Sequence, residues 1–139
     1  MIVPDSNVVS ELLKHESDDA VQTWVRAVGL RQLWPCSVVV GELTFGALRL
    51  PPGRRRSGLL HRLTQLLGEG LDGRLLTYGS DEALAFGRLK AVREKAGRPA
   101  GDVDVMIAAT ALVHGATVAT RNVRHFEGFG VEVVNPWRT

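Results

Sequence analysis

The sequence predicts an α/β fold of three layers, with helices on both faces of a mainly parallel sheet of about five short strands. Three observations carry this reading. Short runs of β-branched and apolar residues alternate with segments of helical periodicity along the whole chain. Each strand is separated from the next by a helical segment, the spacing that right-handed crossovers between parallel strands require. Neither an internal repeat nor a linker interrupts the 139 residues, so residues 1–139 are expected to form one domain, long enough to bury a core.

Ile2-Val3-Pro4 reads as a short buried strand that Pro4 ends, because proline lacks a ladder donor. A helix follows from about Val8 to Lys14. Asp18-Asp19 can start a second helix through Trp24 to Val28, with both acids placed favourably against its dipole. Gln32 to Cys36 reads as the second strand, and Ser37 as the N-cap of a helix running to about Leu48. Pro51-Pro52-Gly53 stops that helix and leaves Arg54-Arg55-Arg56 at a loop tip. Leu59, Leu60, Leu63, Leu66 and Leu67 recur at helical spacing and predict an amphipathic helix near Ser57 to Leu67. Arg74 to Thr77 is a third strand. Ser80 to Lys95 reads as a helix with Ala83, Leu84, Phe86 or Gly87, and Leu89 turned inward. Another helix runs from Asp102 to His114, and Thr117–Thr120 and Val131–Val134 complete the strands. Residues 68–73 spell a dinucleotide-binding glycine pattern, but it follows a helix and precedes a strand, the reverse of the required context.

Composition narrows the class. A hydrophobic fraction of 45% and a charged fraction of 23% fit a soluble globular protein. The lone Cys36 cannot form an intramolecular disulfide, which points to a reducing, cytoplasmic setting. The start lacks a secretory pattern, and the longest apolar run, Val105 to Val113, falls far short of the roughly 18 residues of a membrane helix. The net charge is only +2, but basic residues cluster at Arg54–Arg56 with Arg62, at Arg93, Lys95 and Arg98, and at Arg121, Arg124 and His125. Such clusters suit a polyanion; solvated helix ends and loops are the plainer explanation of each alone.

Three acids stand in apolar surroundings with no Lys or Arg beside them. Asp5 ends the opening strand, Glu42 interrupts the run from Val38 to Phe45, and Asp104 lies within Val103–Ala109. Burying an unpaired carboxylate costs several kcal/mol or more, so three far-apart acids are best explained by a shared cation. Carboxylates without histidine or thiolate partners select Mg²⁺ or Mn²⁺, and so hydrolytic chemistry at phosphorus. Each acid has another explanation. Asp5 or Ser6 can cap the following helix, Glu42 can pair with a distant arginine, and Asp102 and Asp104 can serve the dipole of theirs. Asp104 is the better ligand of that last pair, since residues two apart do not share a helix face. Neither a P-loop nor a nucleophile elbow is present.

Asp5-Ser6-Asn7 after a short strand, Glu42-Leu43, Asp104-Val105-Met106-Ile107-Ala108-Ala109-Thr110-Ala111, Thr120-Arg121-Asn122 and the terminal Asn135-Pro136-Trp137 resemble PIN domains, in particular the FitB-like branch of the VapC toxins. The resemblance spans essentially the whole chain in order and spacing. It implies a PIN-like α/β/α fold and an Mg²⁺- or Mn²⁺-dependent endoribonuclease in which a metal-activated water attacks an RNA phosphodiester. It further implies a homodimer held in check by a small DNA-binding antitoxin. Asp5, Glu42 and Asp104 are the expected metal ligands, with Asn122 as a fourth catalytic residue. Ser6, Asn7 and Thr120 support the site, and Asp102 is a possible substitute ligand. Arg54, Arg55, Arg56 and Arg121 are candidates for RNA phosphate contacts. Two positions depart from the family: Asn122 stands where many members have an acid, and Thr44 where an arginine often follows the glutamate. The alternative is a PIN-fold module that binds RNA or an antitoxin without cutting.

Overall fold

A computed structural model describes residues 1–138. In chain order its elements are β1 (Ile2–Pro4), α1 (Ser6–Leu12), α2 (Asp19–Val28), α3 (Ser37–Leu48), α4 (Arg54–Gln65), α5 (Ser80–Lys95), α6 (Asp102–His114), β2 (Thr117–Ala119) and β3 (Val133–Val134). The strands form a parallel sheet in the order β1-β2-β3, with Val3 opposite Val118 and Val118 opposite Val133.

The two further strands expected from the sequence are reduced to single parallel bridges, Ile2 with Leu33 and Cys36 with Leu76. They extend the sheet beyond β1, through Trp34 N to Ile2 O at 2.8 Å and Leu76 N to Pro35 O at 2.8 Å. A 3₁₀ turn at Leu30–Gln32 takes up the start of one segment, and Pro35 supplies no donor in its middle. The ladder cannot lengthen there.

Alternation along the strands divides the core in two. Val3, Val118 and Val133 pack on one face with Val9, Val39, Val105, Ala108 and Phe126. Ile2, Ala119 and Val134 pack on the other with Val8, Trp24, Leu33 and Leu71. Helices thus cover both faces, as the sequence predicted.

Several local expectations are corrected. Arg54–Arg56 are not a loop tip but the first turn of α4, since Gly53 already completes the reversal and arginine is a good helix former. Ser37 is the first residue of α3 rather than its cap, and its hydroxyl instead accepts from the Tyr78 backbone N at 3.0 Å. Ala83, Leu84 and Gly87 do not face inward on α5; Leu84 is 62% exposed. The inward stripe is Glu82, Phe86, Leu89 and Arg93, charged at both ends. Glu82 accepts from Gly79 N at 3.0 Å and meets His114 Nε2 at 3.2 Å. Arg93 donates to the Glu127 carbonyl at 2.7 Å and lies over the Phe129 ring. Trp24 is buried, whereas Phe45 is exposed. No helix among the described residues is long and apolar enough to cross a membrane.

Candidate active site

β1 and β2 run parallel, so their carboxyl ends emerge side by side, where α/β sheets bind ligands. Asp5 follows β1 and Thr120 follows β2. Asp5 is 4% exposed and caps α1, its Oδ1 accepting from Ser6 N at 2.7 Å. Its Oδ2 accepts from Thr120 Oγ1 at 2.7 Å and from Asn7 Nδ2 at 3.2 Å. Capping α1 therefore occupies Asp5 Oδ1, while Oδ2 faces Thr120 and Asn7. Thr120 is fully buried and its hydroxyl also accepts from Asn122 N at 3.0 Å, while Asn7 Oδ1 accepts from Arg121 N at 3.2 Å. The two strand ends are thereby tied into one knot of hydrogen bonds.

Glu42 and Asp104 approach this knot from α3 and α6. Glu42 is exposed, contrary to the expectation of a buried acid. The inward face of α3 is Val39, Leu43 and Ala47, and Glu42 stands at its edge. No arginine pairs with it among the described residues; Ser6 Oγ donates to its Oε1. Desolvation on the side facing the cluster, then repulsion from Asp5 and Asp104, pushes the Glu42 carboxyl above its ordinary range. Asp104 is half-buried and pushed up in the same way, by desolvation and then by Asp5. The His125 ring, whose Nδ1 lies 3.1 Å from Asp104 Oδ2, works against that rise.

The remaining expected residues divide. Asn122 is exposed and lines a broad cleft beside the carboxylates with Arg121. Asp102 neither caps α6 nor faces Asp104; it is exposed and pairs with Lys90 of α5 at 3.0 Å. Arg54, Arg55 and Arg56 line neither cleft next to the site. Sequence reasoning placed His125 only in a basic cluster and left Trp137 without a role. The contact of His125 with Asp104 spans a helix, a strand and a turn, and no local spacing signals it.

The donor set suits a hard cation: three carboxylates, two of them raised by desolvation and then by the charge of Asp5, with neutral amide and hydroxyl oxygens around them. Among the described residues, no three His, Cys, Asp or Glu side chains already converge as a cage. Glu42 is engaged by Ser6 and Asp104 by His125, so ligation means exchanging those contacts.

The chain matches the PIN domain over residues 2–130. It is 40% identical over 137 residues to VapC ribonuclease Y4jK of Sinorhizobium fredii, covering 99% of this chain and 98% of that protein. Toxin FitB of Neisseria gonorrhoeae is 32% identical over 137 residues, 99% of each chain. The crystal structure of FitAcB from Neisseria gonorrhoeae superposes with a TM-score of 0.90 at 32% identity, covering the whole of both chains. The chain therefore belongs to the PIN-domain family, in the branch that holds proteins named VapC and FitB.

Proposed function

We propose that the protein is a divalent-metal-dependent endoribonuclease, the toxin of a toxin–antitoxin pair, acting in the cytoplasm. The observation that carries this reading is that Glu42 and Asp104, from two helices, both stand close enough to buried Asp5 for its charge to add to desolvation in raising their carboxyls, a rise that a cation would relieve. These three would hold Mg²⁺ or Mn²⁺, because all three offer hard carboxylate oxygens, with His125 beside them as a hydrogen-bond partner of Asp104. The bound ion would supply a water of lowered pKa and positive charge against the phosphate oxygens. Thr120 and Asn7 fix the Asp5 carboxylate, Ser6 steadies Glu42 and His125 steadies Asp104. Asn122 offers a neutral oxygen at the fourth position, and Arg121 meets phosphate at the cleft.

The names of the relatives, VapC ribonuclease and Toxin FitB, support the same reading. An apolar groove of about 160 Å³ between α1, α3 and α4, lined by Leu13, Leu43, Ala47 and Leu63 and opening at Glu42, suits an antitoxin segment. Exposed Leu84 and Val92 on α5 and Leu112 on α6 offer surface for a second copy. Light scattering is expected to give a dimer mass at micromolar concentration; a monomer mass would reject the homodimer.

The test of activity is RNA cleavage with Mg²⁺ or Mn²⁺ and again with EDTA, for the wild type and for Asp5→Asn, Glu42→Gln and Asp104→Asn. Each variant is expected to lose cleavage, and undiminished cutting in EDTA would overturn the mechanism. One observation favours a second reading, a module that binds without cutting: among the described residues no three ligands already converge, and the fourth position holds an amide. Binding of RNA with no cleavage at any metal concentration would establish it.

A further inference from the structure

The cleft beside the carboxylates has a volume of about 700 Å³, and Arg121, Arg124, Arg138 and Trp137 line it. Among the described residues its one acid, Asp18, is spent on capping α2, its Oδ1 accepting from Ala20 N at 2.8 Å and Val21 N at 3.4 Å. His125 and Arg124 form its border toward Asp104 and also line a smaller cleft of about 170 Å³ that Asp104 itself enters. A strand passing from one cleft to the other crosses Arg124 and His125 and reaches Asp104.

The aromatic floor is built rather than incidental. Asn135 Oδ1 accepts from Trp137 N at 3.0 Å, and buried Pro136 fixes the backbone between them. The indole packs on the core cluster formed with Trp24 and Leu33, and the Arg121 guanidinium lies 5.0 Å from its ring centre. A flat cation over an indole occupies the place that an unpaired nucleobase would take, and base–aromatic stacking with arginine beside it is a general mode of single-strand binding.

We propose that Trp137, with Arg121, is a stacking subsite for one unpaired nucleotide of the RNA beside the cleaved phosphate, and that it makes the protein selective for single strands. The proposal rests on the ribonuclease reading. The base displaces the Arg121 guanidinium from the indole, and Arg121 turns to the adjoining phosphate. A base held in a duplex has no free face to offer, so paired RNA gains nothing from Trp137.

The test is binding of a labelled single-stranded RNA about eight nucleotides long, and of the same sequence as a duplex, in EDTA at low salt. Fluorescence anisotropy reads affinity and intrinsic tryptophan emission reads stacking. Single-stranded RNA is expected to quench the wild type and not Trp137→Phe, because Trp24 and Trp34 lie outside the cleft. Trp137→Leu is expected to bind single strands about tenfold more weakly, Trp137→Phe within about threefold, and both are expected to bind duplex as the wild type does. Equal single-strand binding by Trp137→Leu and wild type, or quenching that survives in Trp137→Phe, overturns the subsite while leaving the nuclease intact. A wild type that binds no RNA removes the ribonuclease reading and the subsite with it. Should Trp137→Leu fail to fold, the quenching comparison with Trp137→Phe still decides.

Discussion

Asp5 and Glu42 face the same site but are held in opposite ways. Asp5 is buried, and Ser6 N, Asn7 and Thr120 engage its two oxygens. Glu42 is exposed, with the Ser6 hydroxyl as its one side-chain partner among the described residues. The first is part of the architecture that joins β1 to β2; the second is a reporter of the local field, raised by partial desolvation and then by the charge of Asp5 and Asp104. Acids proposed for one task therefore need not share one structural role, and substitution should separate the two.

The largest separation is expected at Asp5. Asp5→Ala removes the cap of α1 and leaves the buried Thr120 hydroxyl without its acceptor, at a combined cost of about 2–4 kcal/mol. Urea denaturation followed by circular dichroism measures it, and a loss below about 1 kcal/mol would contradict the anchoring role. Asp5→Asn keeps a capping oxygen, so it should lose cleavage with a smaller loss of stability. Glu42→Gln should lose cleavage too, with its thermal midpoint at neutral pH and without metal equal to or above that of the wild type.

The next contrast is in pH. The folded carboxyl of Glu42 is raised, so its contribution is fully present below the ordinary glutamate pKa and is lost as pH rises through the raised value. Any gain in midpoint from Glu42→Gln should therefore fade as pH falls toward about 4. Glu82 runs the other way. Backbone hydrogen bonds at the start of α5, with help from His114, hold its carboxyl below the ordinary range against the opposing effect of burial. Its contribution is present above the ordinary pKa and disappears as pH falls through the lowered one. Melts of wild type and Glu82→Gln should differ at pH 7 and converge in acid; parallel curves across the range would contradict this assignment.

The smallest effects are expected at the edge of the site. Asn122→Asp adds a charge where the cluster has an amide, and should lower the metal concentration that half-maximal cleavage requires. Asp102→Asn should leave cleavage within a few-fold, because Asp102 is occupied with Lys90 on the far side of α6's first turn. A metal titration of all three proteins checks both. If Asp102→Asn proves as damaging as Asp104→Asn while Asn122→Asp changes nothing, Asp102 occupies the fourth position.

What could be read from the sequence followed from how local the determinants are. The spans of α5 and α6 were legible because the acids of their first turns and Gly115 at the end of α6 act within a few residues. Asp5 and Asp104 were legible as oddities, acids without nearby cations. The face of α5 was not, because a hydrophobicity pattern assigns charged residues outward, and Glu82 and Arg93 are buried only by virtue of partners far along the chain. His125 was missed for the same reason, and the exposure of Glu42 because an apolar helix edge looks like an apolar helix interior in sequence. The two single-bridge segments lay between: their existence was evident, their length was not, since Pro35 and the turn before it compete with the ladder.

Those abbreviated bridges bear on how the protein behaves at high concentration. An open sheet offers its outer strands as templates for a neighbouring chain, and long flat edges invite aggregation. Here one edge is a single bridge at Leu76 and the other is the two residues Val133–Val134. Neither exposes enough backbone to nucleate a cross-chain ladder. The proline that stunts the sheet also leaves it a poor seed for misassembly, so the chain can present exposed Phe45, Leu84 and Leu112 to partners without exposing a long strand edge beside them.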